Sequence, residues 1–177
     1  MRLPVVGVMG SGTDAHAELA VPLGLFLARA GVHLLTGGGA GTMACVSRAF
    51  ASVAPRAGLV VGVLPGHPPP RGYPNPSVEI AIATHLPGRG RGGDGPDSRN
   101  HVNVLSSDLV VALPGGPGTA SEIKLARTYG RRVVLIGWSD AGRAIAREHA
   151  SVDAVDSVEE AKPLIDGALA TLRAASR

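Results

Sequence analysis

Short β-branched runs, each followed by a stretch of helical periodicity, alternate along the whole chain of 177 residues. The runs fall at 3–9, 32–36, 59–64, 79–84, 109–113, 132–136 and, more weakly, 152–155. The helical stretches between them are 15–30, 42–54, 98–106, 119–130, 140–149 and 157–174. Leu19, Leu23, Phe26, Leu27 and Ala30 share one face of the first, and Pro22 inside it predicts a kink. Strands that alternate with helices specify a parallel sheet, and strands this apolar are expected where helices cover both faces. The expected fold is α/β, a Rossmann-like doubly wound parallel sheet forming a single domain over residues 1–177.

Three strand-to-helix turns are nearly stripped of side chains: Gly10-Ser11-Gly12, Gly37-Gly38-Gly39-Ala40-Gly41 and Gly115-Gly116-Pro117-Gly118. Glycine lets backbone N–H groups approach a ligand closely, and each turn feeds a helix N-terminus carrying partial positive charge. Three such turns on one sheet edge point to an anion site, and hence to a small phosphate-bearing ligand. The first turn fits a dinucleotide fingerprint, but the second strand ends in Thr36-Gly37 where that fingerprint needs a ribose-binding acid. No Gly-Lys-Ser/Thr follows any turn, which argues against a nucleoside-triphosphate loop.

Other chemistries find little support. The formal charge is only +3 and the arginines are scattered, so no nucleic-acid partner is expected. Neither lysine, Lys124 or Lys162, sits where a pyridoxal-phosphate enzyme would need it. The six histidines show no metal-ligand spacing, so no metal site is expected, and the single Cys45 reads as a small buried hydrophobe. No apolar run approaches the roughly 20 residues of a membrane span, and no signal peptide opens the chain, so a cytoplasmic location away from membranes is expected.

Two stretches break the rhythm, 65–77 and 85–97, both following strands on the edge where open sheets bind ligands. Each reads either as a functional lid or as disorder, and Arg89 and Arg91 in the second either close on a phosphate or stay solvated. Glu122 carries a similar ambiguity. Thr119-Ala120-Ser121-Glu122 has the pattern of a capping box, as does Ser157-Val158-Glu159-Glu160, so Glu122 is either a helix cap or a catalyst.

The run Pro114-Gly115-Gly116-Pro117-Gly118-Thr119-Ala120-Ser121-Glu122 resembles the PGGxGTxxE signature of the lonely-guy family, the cytokinin riboside 5′-monophosphate phosphoribohydrolases. Arg99 and Asp108 match that family's upstream arginine and aspartate, and Gly37-Gly38-Gly39-Ala40-Gly41-Thr42-Met43 matches its second-strand element. The resemblance implies a homodimer that hydrolyses the N-glycosidic bond of a nucleoside 5′-monophosphate and needs no cofactor. Arg99 and Glu122 would be its catalytic pair. Gly10, Ser11, Gly12, Gly37, Gly38, Gly39, Gly41, Thr42, Met43, Gly115, Gly116, Gly118 and Thr119 would line the ligand and grip its phosphate.

The chain departs from those hydrolases at Asn100, where they carry lysine, and at Pro117, where an aromatic is common. The segment from Ser98 to Asp108 is instead similar to the molybdenum cofactor carrier proteins of the same superfamily, which bind a pterin monophosphate without hydrolysing it. That alternative makes Arg99 and Asn100 contacts to a molybdopterin-type ligand and returns Glu122 to a cap.

Overall fold

The computed structural model describes residues 2–88 and 93–175. Arg89 and Arg91 lie outside the described residues. The first half of the chain runs β1 (Val5–Met9), α1 (Ala17–Arg29), β2 (His33–Thr36), α2 (Thr42–Ala51), β3 (Val60–Leu64) and β4 (Ile80–Ala83). The second runs α3 (Asn100–Leu105), β5 (Leu109–Ala112), α4 (Pro117–Thr128), β6 (Arg132–Ile136), α5 (Asp140–Glu148), β7 (Val152–Val155) and α6 (Val158–Ala175). Every expected strand forms. α1 begins at Ala17, because His16 adopts a left-handed backbone (φ 41°) that ends the preceding loop, and it runs unbroken through Pro22.

The seven strands form one all-parallel sheet in the order β4-β3-β2-β1-β5-β6-β7. Side chains of a strand alternate between faces, and the core divides accordingly. Val6, Val8, Leu109, Val111, Val134 and Ile136 face α1, α2 and α6, where they meet Leu23, Leu27, Phe50, Ile165 and Leu169. Met9, Leu35, Val110, Ala112, Val133 and Leu135 face the other way, onto Val104 of α3 and Ile123 and Ala126 of α4. Burying each large aliphatic side chain contributes about 1.5–3 kcal/mol, which is why these continuously apolar strands hold the centre.

The expectation that helices cover both faces fails at one end of the sheet. β4 is exposed along its whole length, with Ile80 and Ile82 at 43% and 38% of their full accessibility. The cause is local: the proline-rich segment 65–77 occupies the β3–β4 connection in place of a helix.

The chain leaves β1 toward β4 on one side, then returns to place β5 on β1's other flank. This reversal is the topological switch point of a doubly wound sheet, and it opens a crevice beyond the carboxyl ends of β1 and β5. Asp108, by contrast, lies at the opposite end of the strands. It accepts the Val5 N–H at 2.8 Å and pairs with Arg2 at 2.7 Å, and so belongs to the scaffold.

Candidate functional site

A cavity of about 570 Å³ occupies the crevice, within the ~300–1,000 Å³ usual for small-molecule sites. The loop after β1 contributes Gly10, Ser11 and Gly12, and the first turn of α4 contributes Gly116, Gly118 and Thr119. Gly37, Met43, Arg99, Asn100 and Glu122 complete the part of the lining that was expected from sequence. Gly38, Gly39, Gly41, Thr42 and Gly115 are not part of the lining. Thr42 spends its N–H on Ser11 O (2.9 Å) and its hydroxyl on Asp14 O (3.0 Å), so it joins the α2 start to the β1 loop and does not face a ligand.

One end of the cavity is the start of α4. Gly116 is the N-cap residue in extended conformation, Pro117 follows at the first helical position, and the first intrahelical bond runs from Ala120 N–H to Gly116 O. The preceding amides of Gly118 and Thr119 have no acceptor among the described residues, and both residues line the cavity. Unpaired N–H groups at a helix N-terminus, with the helix dipole behind them, are the physical requirement for holding phosphate. A Cβ built on Gly116 meets nothing within 4 Å, so this glycine borders open space.

This helix start also leaves the capping-box pattern at Thr119 to Glu122 unformed. Proline at the first position nucleates α4 two residues early, which makes Thr119 an interior residue of the first turn, and no side chain caps the helix. Its hydroxyl folds back over Gly115, where an added Cβ would lie 2.2 Å from Oγ1. Glu122 is consequently released from the backbone and turned into the cavity. The second pattern does form a box: Glu160 N–H donates to Ser157 Oγ (3.3 Å), and the Glu160 carboxylate accepts from the Ser157 hydroxyl (2.9 Å) and the Asp156 N–H (3.4 Å).

Glu122 is 7% exposed and Arg99 5%, and they form the cavity floor with Arg99 Nη1 3.7 Å from Glu122 Oε1. Asn103, one turn along α3 from Arg99, donates from Nδ2 to the same oxygen at 2.8 Å. Burial pushes the Glu122 carboxyl above the ordinary glutamate range, while the Arg99 charge and the Asn103 hydrogen bond pull against it. The guanidinium is seated against Gly37, where an added Cβ would stand 2.3 Å from Nη2. Arg99 Nε and Nη1 and Asn103 Oδ1 are buried without a hydrogen-bond partner.

Three contributors were given no role from sequence. Asn103, which lies within the 98–108 segment that resembles the carrier proteins, holds Glu122. Asn75, in the 65–77 loop, donates from its backbone to Gly38 O (2.8 Å) and from Nδ2 to Gly39 O (3.0 Å), which resolves that loop as an ordered clamp. Tyr73, from the same loop, lines the cavity. No group of three or more His, Cys, Asp or Glu residues suited to a metal exists among the described residues, and no helix among them is long and apolar enough to cross a membrane.

Sheet topology and cavity together define a Rossmann-like protein with a pocket at the switch point, bordered by a helix N-terminus and floored by a buried arginine–glutamate pair. The chain belongs to the SLOG cluster4 family, whose model matches residues 3–165. The molybdenum cofactor carrier protein of Chlamydomonas reinhardtii is similar at 33% identity and TM-score 0.78, covering 96% of this chain and 99% of its own. The molybdenum cofactor binding protein of Rippkaea orientalis matches at the same identity and TM-score, over 94% of this chain and 98% of its own. An uncharacterised protein of Archaeoglobus fulgidus is 33% identical over 138 residues, 77% of this chain and 82% of its own.

Proposed function

We propose that the protein binds a pterin monophosphate of the molybdenum-cofactor type and holds it without chemical change. The carrying observation is the likeness to the two molybdenum cofactor proteins at 33% identity across 94–96% of the chain. The cavity suits such a ligand. The phosphate sits against the free amides of Gly118 and Thr119, beside Gly10, Ser11 and Gly12. Arg99 supplies a fixed positive charge in the floor, and Asn100 and the Glu122 carboxyl offer the donor and acceptor groups that a pterin edge requires.

A second reading is favoured by one observation: Glu122 faces the cavity beside Arg99 and does not cap a helix. In a phosphoribohydrolase, water would add to C1′ of a nucleoside 5′-monophosphate as the C1′–N bond breaks. The bond electrons pass to the departing base, which takes up a proton. The ionised Glu122 would stabilise the positive ribose and Arg99 the charge developing on the base.

One experiment separates the two. The purified chain is mixed in turn with molybdenum cofactor released from a molybdoenzyme and with AMP. Retention of pterin fluorescence through gel filtration, with AMP intact, is the expected result. Release of free adenine that disappears in Glu122→Gln, with no pterin retained, would transfer the protein to the hydrolase reading.

A further inference from the structure

We infer that Tyr73 is the wall on which the ligand's planar ring stacks, and so the residue that selects a ring-bearing phosphate ester over a simple one. The inference rests on the reading of the cavity as a site for a heterocyclic phosphomonoester. Aromatic side chains are scarce, with two Phe, two Tyr and one Trp in the chain, and four of these five are not in the cavity lining. Phe50 is fully buried under the Arg56 guanidinium, and Phe26 packs half-buried against the core. Trp138 donates to Ala112 O at 2.9 Å, and Tyr129 meets His101 with its hydroxyl 2.6 Å from Nδ1. Tyr73 alone among the described aromatics lines the cavity.

Its position is built. A Cβ placed on Gly39 would stand 2.7 Å from both Cζ and Oη of Tyr73 and 2.8 Å from Met43 Cε, so the phenol lies directly on side-chain-free backbone beside the methionine methyl. The Asn75 clamp on Gly38 and Gly39 fixes the loop that carries it. Sheet topology sets where this wall stands relative to the start of α4. The phosphate-accepting amides follow β5, whereas Gly39 follows β2, and β1 lies between them. Two strand spacings place the wall ~10 Å from the start of α4, a span on the scale of one nucleotide-sized ligand. The Arg99–Glu122 floor runs beneath that span, since Arg99 sits under Gly37 at the β2 end and Glu122 projects from α4.

The test is calorimetric titration of the full chain with three probes: hydroxymethylpterin monophosphate, AMP, and glycerol phosphate, which has no ring. In Tyr73→Ala, affinity for whichever ring-bearing probe the wild type binds should fall at least about fivefold, the low end of what one base–aromatic stack contributes. Glycerol phosphate affinity should be unchanged. Tyr73→Phe should retain ring binding, and Tyr73→Leu, which keeps apolar bulk without a π-face, should lose it even if Ala relaxes the loop. Equal losses for ringed and ringless probes, or undiminished ring affinity in both Ala and Leu variants, overturn the inference alone. A wild type that binds none of the three overturns the phosphomonoester reading and this inference with it.

Discussion

Gly37→Ala tests the cavity floor most directly, because the perturbation is one methyl group and its target is known. The added Cβ would lie 2.3 Å from Arg99 Nη2 and 2.4 Å from Nη1, against the 3.4 Å at which ordinary contact begins, so the guanidinium must retreat by about 1 Å. A retreat that carries Nη1 away from Glu122 lengthens an ion pair that now spans 3.7 Å. At a pH above the raised Glu122 pKa, where the carboxylate is ionised, and at an effective dielectric of ~20, that extra ångström weakens the attraction by about 1 kcal/mol. Overpacking a well-filled buried position adds ~1–3 kcal/mol, so the total destabilisation should be ~2–4 kcal/mol by urea titration. The two contributions separate in a double-mutant cycle with Glu122→Gln, which removes the carboxylate charge while keeping its shape. The electrostatic part, ~1 kcal/mol, should vanish in the Gln background and leave only the overpacking part. Strict additivity of the two substitutions would refute the account, since it would mean that Gly37 and Glu122 do not act through the same guanidinium.

Glu122 also gives stability a pH dependence. Its folded pKa is raised by burial, so between the ordinary ~4.3 and the folded value the native state holds a proton that the unfolded chain has released. The stability from neutral Glu122 is therefore present at low pH and declines as pH rises through that window. The difference in unfolding free energy between wild type and Glu122→Gln should shrink or reverse over the same range, and a pH-independent difference would contradict the assignment. Gly116→Val places a side chain in open space at an N-cap and should cost only ~1 kcal/mol of stability, while phosphomonoester affinity in titration falls more than tenfold. Ser157→Ala removes the real capping box and should lower stability by ~1 kcal/mol in denaturant titration, with ligand affinity unchanged.

The parallel sheet of this molecule was largely latent in its sequence, because such a sheet needs continuous apolar runs separated by crossovers and the chain advertises both; the strand order was not. What the runs do not encode is coverage. Glu79-Ile80-Ala81-Ile82-Ala83 has the same pattern whether or not a helix lies over it, and the exposure of β4 follows from the proline-rich connection before it. Glu122 was ambiguous because S/T-x-x-E is a local signal, and the residue that decides it, Pro117, acts by starting the helix before the motif. Tyr73 and Asn75 had no local signal at all. They stand more than thirty residues from the glycines they cover, and only the pairing of β3 with β2 brings them there.

The floor of the cavity is costly by any accounting of the fold alone. Arg99 Nε and Nη1 and Asn103 Oδ1 are buried and unpaired, and each such group costs ~1–3 kcal/mol of desolvation. The Arg99–Glu122 pair returns little of this, because at 3.7 Å it makes no hydrogen bond and its carboxyl is biased by burial toward the neutral form. An apolar floor of the same volume would be at least as stable. Three elements nevertheless converge to build the polar one: Gly37 yields space for the guanidinium, Asn103 fixes one oxygen of the carboxylate, and Pro117 starts α4 early enough to free Glu122. Single unpaired atoms are buried elsewhere too, at Ser47, Arg56, Arg127 and Arg131, but only at the floor do several gather in neighbouring side chains. That cluster borders a cavity whose far side presents unpaired amides, and its cost is accounted for if a ligand supplies the missing partners. A bound phosphomonoester should then raise the thermal midpoint of the wild type by more than that of Arg99→Met, in which the unpaired donors are gone; equal ligand-induced shifts would mean that the floor and the ligand do not interact.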